Sequence, residues 1–408
     1  MAIYARILQE TPIRLWGLSA RERFARMFRK AGISLLPEGV SPDKEKDSLL
    51  LLRGDFLYDQ RILKNMTADV GILLEIDTAA GRRPVAAHVP LAMAEPMEAI
   101  LRDEVGVECP DGLRRETPMT LVPVYLLKSL TKLDPPYLLK ISEHNQRMLE
   151  KRLFAGSYKG VTDLVTKWVW PAPAQWATRF CTRHGIVPNH VTSLSLILSI
   201  LALAQFYYGF YAWGLMSAWL MTFLDTVDGK LARVTINYSS FGNIFDHAID
   251  LIFPPLWYLA WGMSLHMAQS GIPGVSMSLV FWLILAGYIA GRLVELIFKQ
   301  FLESSGIFCW RLVDSCFRLI TGRRNPNLLL LTLSHFFGRP DLGLLAVCLW
   351  TVLSSLFLIV RLFMGVRTRF RSGPLRSWFL DVDPVNDRLT MCQRWFYRRP
   401  DADAGGNG

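Results

Sequence analysis

Long apolar runs dominate residues 189–364, and they limit the fold of this chain more than any other feature. About 20 apolar residues suffice for a helix to cross a bilayer. In hydrocarbon each backbone N–H and C=O must be paired within the protein, which leaves the helix as the natural element for such runs. The runs lie near 190–210, 213–233, 240–264, 276–298, 325–338 and 341–364. They predict a six-helix transmembrane α bundle, with the fifth span short.

The rest of the chain has another character. Residues 1–135 alternate helical and strand-like patterns. "SARERFARMFRKAGI" sets Phe24, Met27, Phe28 and Ile33 at helical spacing. "SLLLLRGDFLYD" reads as a buried strand entering a Gly-Asp turn, and "DVGILLEID" as a second strand. The rhythm predicts a multidomain protein in which a cytosolic α/β domain precedes the bundle. The expected division is 1–135 for the α/β domain, 136–188 for a linker with interfacial amphipathic helices, 189–365 for the membrane domain and 366–408 for a basic cytosolic tail. Residues 137–155 read as a charged helix. Trp168, Trp170 and Trp176, with Lys167, Arg179 and Arg183, suit a helix in the headgroup layer.

Charge supplies the orientation. The 408 residues carry a formal net charge of +10. Lys299, Arg311, Arg318, Arg323 and Arg324 fall in the segment 299–324, whereas 209–213 and 265–275 hold no Lys or Arg. Arg339 is the exception, and "RTRFRSGPLRSW" follows the last span. Basic residues collect on cytoplasmic loops, so both termini are expected in the cytoplasm, with the protein integral to an inner or plasma membrane. The first residues lack a basic stretch followed by an apolar core, which agrees with a cytosolic N-terminal region. No basic-aromatic nucleic-acid motif is present, so no nucleic-acid partner is expected. The six cysteines form no C-x-x-C pair and predict neither a zinc site nor a disulfide framework.

Against this background stands "DTVDGKLARVTINYSSFGNIFDHAID", residues 225–250. Its four aspartates sit beside predicted membrane, where one charge costs at least ~2.5–3.5 kcal/mol. Asp225, Asp228, Gly229, Ala232 and Arg233 share one helix face, and Gly242, Asp246 and Asp250 share a face of the next. Two antiparallel helices can turn both faces into one cavity. Divalent cations would relieve the repulsion there, and carboxylates without Cys or His suit Mg²⁺ or Mn²⁺. His247 points about 100° away from its neighbour on a helix and is left out. Interfacial ion pairs with Lys230 and Arg233, on an exposed loop, are the bland alternative. An ion or proton pathway through buried acids is another.

The stretch carries D-x-x-D-G-x-x-A-R-x8-G-x-x-x-D-x-x-x-D at every fixed position, and it resembles the CDP-alcohol phosphatidyltransferase family over roughly 155–365. "VPNHVT", residues 187–192, resembles the segment opening that family's first membrane helix, so Asn189 and Thr192 are expected near the headgroup. The resemblance implies cleavage of a CDP-alcohol and transfer of its substituted phosphate to a hydroxyl acceptor, with release of CMP. It implies Asp225, Asp228, Asp246 and Asp250 as metal ligands, with Asp250 also the general base. Asp225, Asp228, Gly229, Ala232, Arg233 and Gly242 are expected to form the CDP-binding surface. It further implies a homodimer in contact with membrane lipid, acting in phospholipid or polyol-phosphate biosynthesis.

The N-terminal segments resemble the sugar-nucleotide type of nucleotidyltransferase, with Asp55 at the acidic metal-binding turn. The glycine-rich phosphate loop of that family is absent before residue 30, so a degenerate domain is expected. Such fusions hint at soluble polyols, with CDP-inositol as donor and inositol phosphate as acceptor, while the membrane domain alone fits CDP-diacylglycerol and a polar alcohol just as well. Arg292, Arg323 and Arg324 are possible holders of a phosphorylated acceptor. An Arg292–Glu295 pair is the preferred reading of the first, and topology signals of the other two.

Overall fold

The computed structural model describes residues 2–29, 31–37, 47–79, 81–105, 107, 109–122, 136–158, 160–267, 274–303, 305–382 and 389–396, with 240, 241 and 243 by backbone alone. Of the expected tail 366–408, residues 366–372 continue a long helix, and 383–388 and 397–408 lie outside the described residues.

The N-terminal unit is built on strands β1 (Ile3–Leu8), β2 (Ser34–Leu35), β3 (Ser48–Arg53), β4 (Phe56–Tyr58), β5 (Ile72–Thr78), β6 (Gly81–Pro90), β7 (Arg114–Glu116) and β8 (Leu138–Lys140). Six of them form a mixed sheet in the order β2-β1-β3-β6-β5-β7, and β4 pairs with β8. Helices α1 (Ala20–Arg29), α2 (Gln60–Met66), α3 (Ala94–Leu101) and α4 (Pro118–Leu121) accompany it. The continuous apolar run of β3 has a direct cause. Leu50 and Leu52 pack with Phe24 and Phe28 of α1 and Ile62 of α2, while Leu49 and Leu51 pack with Met97 and Leu101 of α3. Alternate side chains of a strand point to opposite faces, and here both faces are covered. The Gly-Asp turn follows as predicted. A Cβ on Gly54 would stand 2.9 Å from Ile7 and 3.0 Å from the Glu10 backbone, so the turn needs glycine.

The charged helix expected over 137–155 is corrected. Residues 138–140 form β8 against β4, and only α5 (Gln146–Gly156) is helical. The Pro135-Pro136 punctuation and the apolar alternation of "YLL" favour an extended start. Next comes α6 (Pro171–Arg183). Trp168 and Trp176 are exposed, as an interfacial segment requires, whereas Trp170 packs on Phe223 with ring centroids 5.3 Å apart.

Helices occupy all six apolar runs: α7 (Pro188–Tyr207), α8 (Tyr211–Val234), α9 (Ser240–Met267), α10 (Met277–Ile297), α12 (Arg324–Phe336) and α13 (Pro340–Ser372). The basic segment between α10 and α12 contains a short helix, α11 (Leu312–Arg318), and α14 (Met391–Arg394) lies beyond α13. Three helical stretches among the described residues are long and apolar enough to cross a membrane: Pro188–Tyr207, Met277–Leu302 and Pro340–Ser372. α12 has 13 residues, about 20 Å of rise against the ~30 Å of a hydrocarbon core. α8 carries its charged motif. The bundle interior is apolar, centred on Phe206, Trp257, Tyr258 and Trp261. Its outside is apolar too: Ile197, Trp282, Leu349, Leu356 and Phe363 are exposed. Apolar residues on every side mark helices that meet lipid.

Candidate active site

α7 packs against both α8 and α9, and this brings the two aspartate faces together. Asp225, Asp228 and Asp246 each offer a carboxylate oxygen within 4.8 Å of the other two. A second contact secures this junction. A Cβ on Gly242 would meet Asn189 Oδ1 at 2.8 Å and Ser239 Oγ at 2.6 Å. Glycine therefore lets the start of α9 approach the start of α7. At Gly229 a Cβ would find only ordinary contact with Arg233, at 3.5 Å, so its small volume leaves space rather than closing a gap.

Asp228 is buried and accepts a 2.7 Å hydrogen bond from Thr192 Oγ1. Thr192 is itself 4% exposed, so it orients this carboxylate from behind. Asp250 stands next to the trio and is ion-paired with Arg324, which also pairs with Asp225. Its backbone is held by an unusual device. Pro254 and Pro255 lie inside α9 and donate no hydrogen bond to the carbonyls four residues earlier. Those carbonyls belong to Asp250 and Leu251. Tyr288 Oη of α10 is 3.4 Å from Asp250 O and 3.1 Å from Leu251 O, and donates to them instead.

Several expectations change. Lys230 and Arg233 sit on α8 itself, and Lys230 is buried. Lys230 Nζ and Arg233 Nη1 donate to Ser157 O at 3.0 and 3.1 Å, which turns both toward the linker. His247 does reach Asp246, with Nδ1 3.7 Å from Oδ2. Ala232 is half-buried on the same stretch of α8. Arg324 is an ion-pair partner of the motif, and Arg323 pairs with Glu295. The Arg292–Glu295 pair is present at 3.5 Å. Asp55 is gripped by Arg53 through bonds of 3.0 and 2.9 Å.

A cavity of about 120 Å³ opens beside Asp250, lined also by Arg292, Arg318, Arg323 and Arg324. Arg318 Nη1, Arg292 Nε and Arg323 Nε are buried without a hydrogen-bond partner among the described residues. Sequence reasoning missed Arg318. Its signal was the density of arginines over 311–324, which also satisfies the topology rule.

The pattern of carboxylates now meets an independent comparison. Residues 185–306 match the CDP-alcohol phosphatidyltransferase family. This family transfers a substituted phosphate from a CDP-alcohol to an acceptor and depends in general on divalent metal; the match supports a phosphotransferase enzyme. The chain also resembles archaetidylinositol phosphate synthase of Pyrococcus horikoshii, at 36% identity over 66 residues. That stretch is 16% of this chain and 35% of the relative. The matched family region includes α7, α8, α9 and α10, and thus all four aspartates, whereas Arg318 and Arg324 lie beyond it.

Proposed function

We propose that the protein transfers a substituted phosphate from a CDP-alcohol to a hydroxyl of an acceptor that carries its own anionic group, releasing CMP. The observation that carries this reading is the joining of two features at Asp250: the acidic trio on one side and the arginine-lined cavity on the other. The relative is named an archaetidylinositol phosphate synthase, in keeping with a phosphorylated acceptor. The lipid version and the version using CDP-inositol share that acceptor chemistry.

Asp225, Asp228 and Asp246 suit Mg²⁺ or Mn²⁺, being oxygen donors in close array, with Asp250 adjacent. When bound, such a cation would neutralise charge on the donor's pyrophosphate and on the phosphate of the CMP that leaves. Asp250 takes the proton of the acceptor hydroxyl. The acceptor oxygen bonds to the phosphorus that bears the alcohol, and the bond from that phosphorus to CMP breaks. Arg292, Arg318 and Arg323 hold the acceptor's anionic group beside Asp250. Gly229, Ala232 and Arg233 form a wall for the cytidine diphosphate, Thr192 fixes Asp228, and Asn189 with Gly242 sets the helix spacing. A proton or ion pathway is disfavoured by Arg324, a cation fixed across Asp225 and Asp250. The N-terminal unit is read as non-catalytic, because Arg53 neutralises Asp55. Six crossings with both termini cytoplasmic, and a homodimer, complete the reading.

The test incubates the purified protein with CDP-diacylglycerol or CDP-inositol and acceptors with and without phosphate, and follows CMP. Release is expected only with Mg²⁺ or Mn²⁺ and a phosphorylated acceptor. Asp250→Asn should abolish turnover while still binding CMP. Arg318→Gln should raise KM for the acceptor about tenfold, the worth of one charged hydrogen bond, and leave the donor KM within about twofold. No CMP from any pair would sink the reading.

A further inference from the structure

The turn joining α8 to α9 carries a conformation that its residues resist. Ile236 has φ +51°, a region that β-branched side chains rarely enter. It is buried, at 8% exposure. Its N–H donates to Arg233 O at 3.3 Å, and the next N–H, of Asn237, donates to Ala232 O at 2.9 Å. This is a left-handed helix ending of the type usually given to glycine. Such strain persists only where the surroundings over-determine it.

Those surroundings come from the N-terminal unit. Arg26 of α1 donates through Nη1 to Thr235 O at 2.7 Å, immediately before Ile236. The side chain of Gln60, the first residue of α2, neighbours the hydroxyl of Tyr238, two residues after Ile236. A third contact lies one helical turn back. Trp16 is 2% exposed and packs in one cluster with Val227, Leu231 and Val234 of α8. Its own backbone has φ +51° in a turn closed by Leu15 and Leu18. Glu150 of α5 accepts from both its N–H and its indole Nε1, at 3.0 and 2.9 Å. The same end of α8 holds Gly229, Ala232 and Arg233.

We infer that the N-terminal α/β unit is a positioning clamp for the CDP-binding face: Arg26 and Gln60 hold the strained 235–239 turn, and Trp16 backs the last turns of α8. This rests on the reading of α8 and α9 as the CDP site. The turn fixes the rotation of α8 against α9, and so whether Asp225 and Asp228 face Asp246 and Asp250. None of the three clamp residues needs to touch the nucleotide.

The experiment uses the full chain in lipid nanodiscs with Mg²⁺, and compares wild type with Arg26→Ala, Arg26→Lys and Gln60→Ala. CMP affinity is read by calorimetry, donor KM and kcat by CMP release from CDP-diacylglycerol, and turn mobility by amide hydrogen exchange over 235–239. Arg26→Ala should weaken CMP binding and raise donor KM about tenfold, with kcat within about twofold. Exchange at 235–239 should accelerate while β3 amides stay protected. Arg26→Lys should restore most of the loss, since an ammonium can donate to the same carbonyl. Wild-type CMP affinity and wild-type exchange at 235–239 in both alanine variants would overturn the clamp. Should Arg26→Ala lower overall stability, Gln60→Ala decides. Should the wild type neither bind CMP nor release it, the functional reading fails on its own, and exchange at 235–239 still decides whether the clamp exists.

Discussion

Arg324, at the start of α12, is ion-paired with Asp250 in the middle of α9. The guanidinium also reaches Asp225 on α8, so one cation ties together the three helices that form the site. The pair lies at the rim of the cavity that Arg292, Arg318 and Arg323 make basic. Four carboxylates beside an apolar bundle need positive charge, and Arg324 supplies part of it within the chain itself.

Removing that cation leaves two partly buried carboxylates without it. Arg324→Ala should therefore lower stability in EDTA on the order of 2 kcal/mol. Mg²⁺ or Mn²⁺ should restore much of this loss, because metal binding to the native state adds stability by mass action. The shift of the unfolding midpoint on adding metal should thus be larger in Arg324→Ala than in wild type. Equal shifts in the two proteins would show that Arg324 and the metal do not share Asp225 and Asp250.

Tyr288 should matter through the backbone of α9. Its hydroxyl replaces the hydrogen bonds that Pro254 and Pro255 do not make to Asp250 O and Leu251 O. Tyr288→Phe leaves two carbonyls short of a donor and loosens the kink that aims Asp250. The expected result is a fall in kcat of about tenfold or more with CMP affinity little changed. A compensating change of Pro254 to Ala should recover part of the loss, since the alanine N–H bonds Asp250 O within the helix. Unchanged kcat in Tyr288→Phe would count against this account.

A pH test addresses the clamp unit. The Asp103 carboxyl is raised by burial, but hydrogen bonds from Arg83 and Arg53 outweigh this and hold it down at about 2, below its ordinary 3.8. A folded value below the unfolded one means stability that is present above pH ~4 and lost as pH falls toward ~2. Asp103→Asn should remove this part of the acid dependence. Thermal midpoints measured from pH 5 down to pH 2 should therefore converge at the acid end. Parallel curves for the two proteins would exclude the contribution.

How much of this was written in the chain differs from element to element. Leu49–Leu52 and the Gly54–Asp55 turn were legible because a strand covered on both faces reads as an unbroken apolar run. The acidic face of α8 and that of α9 were legible because the helical repeat puts residues four apart on one side. The 137–140 stretch misled, since its charges and length suit a helix and its actual state depends on a distant partner, β4. Arg324 misled for a different reason. In the loop before a short span it satisfies the topology rule equally well whether or not it also pairs with an acid.

Local periodicity set the helices of the bundle, the acidic faces of α8 and α9 and the apolar segments, because each of these depends on neighbours within a few positions. Which arginine meets which aspartate was decided by how α7 joins α8 to α9 and how α12 packs on α8. The same holds for Tyr288 under two prolines and for Arg26 on the α8–α9 turn. Those contacts join residues dozens to hundreds of positions apart, and no local repeat encodes such a distance. They arise only once burial of the apolar faces has brought the helices together.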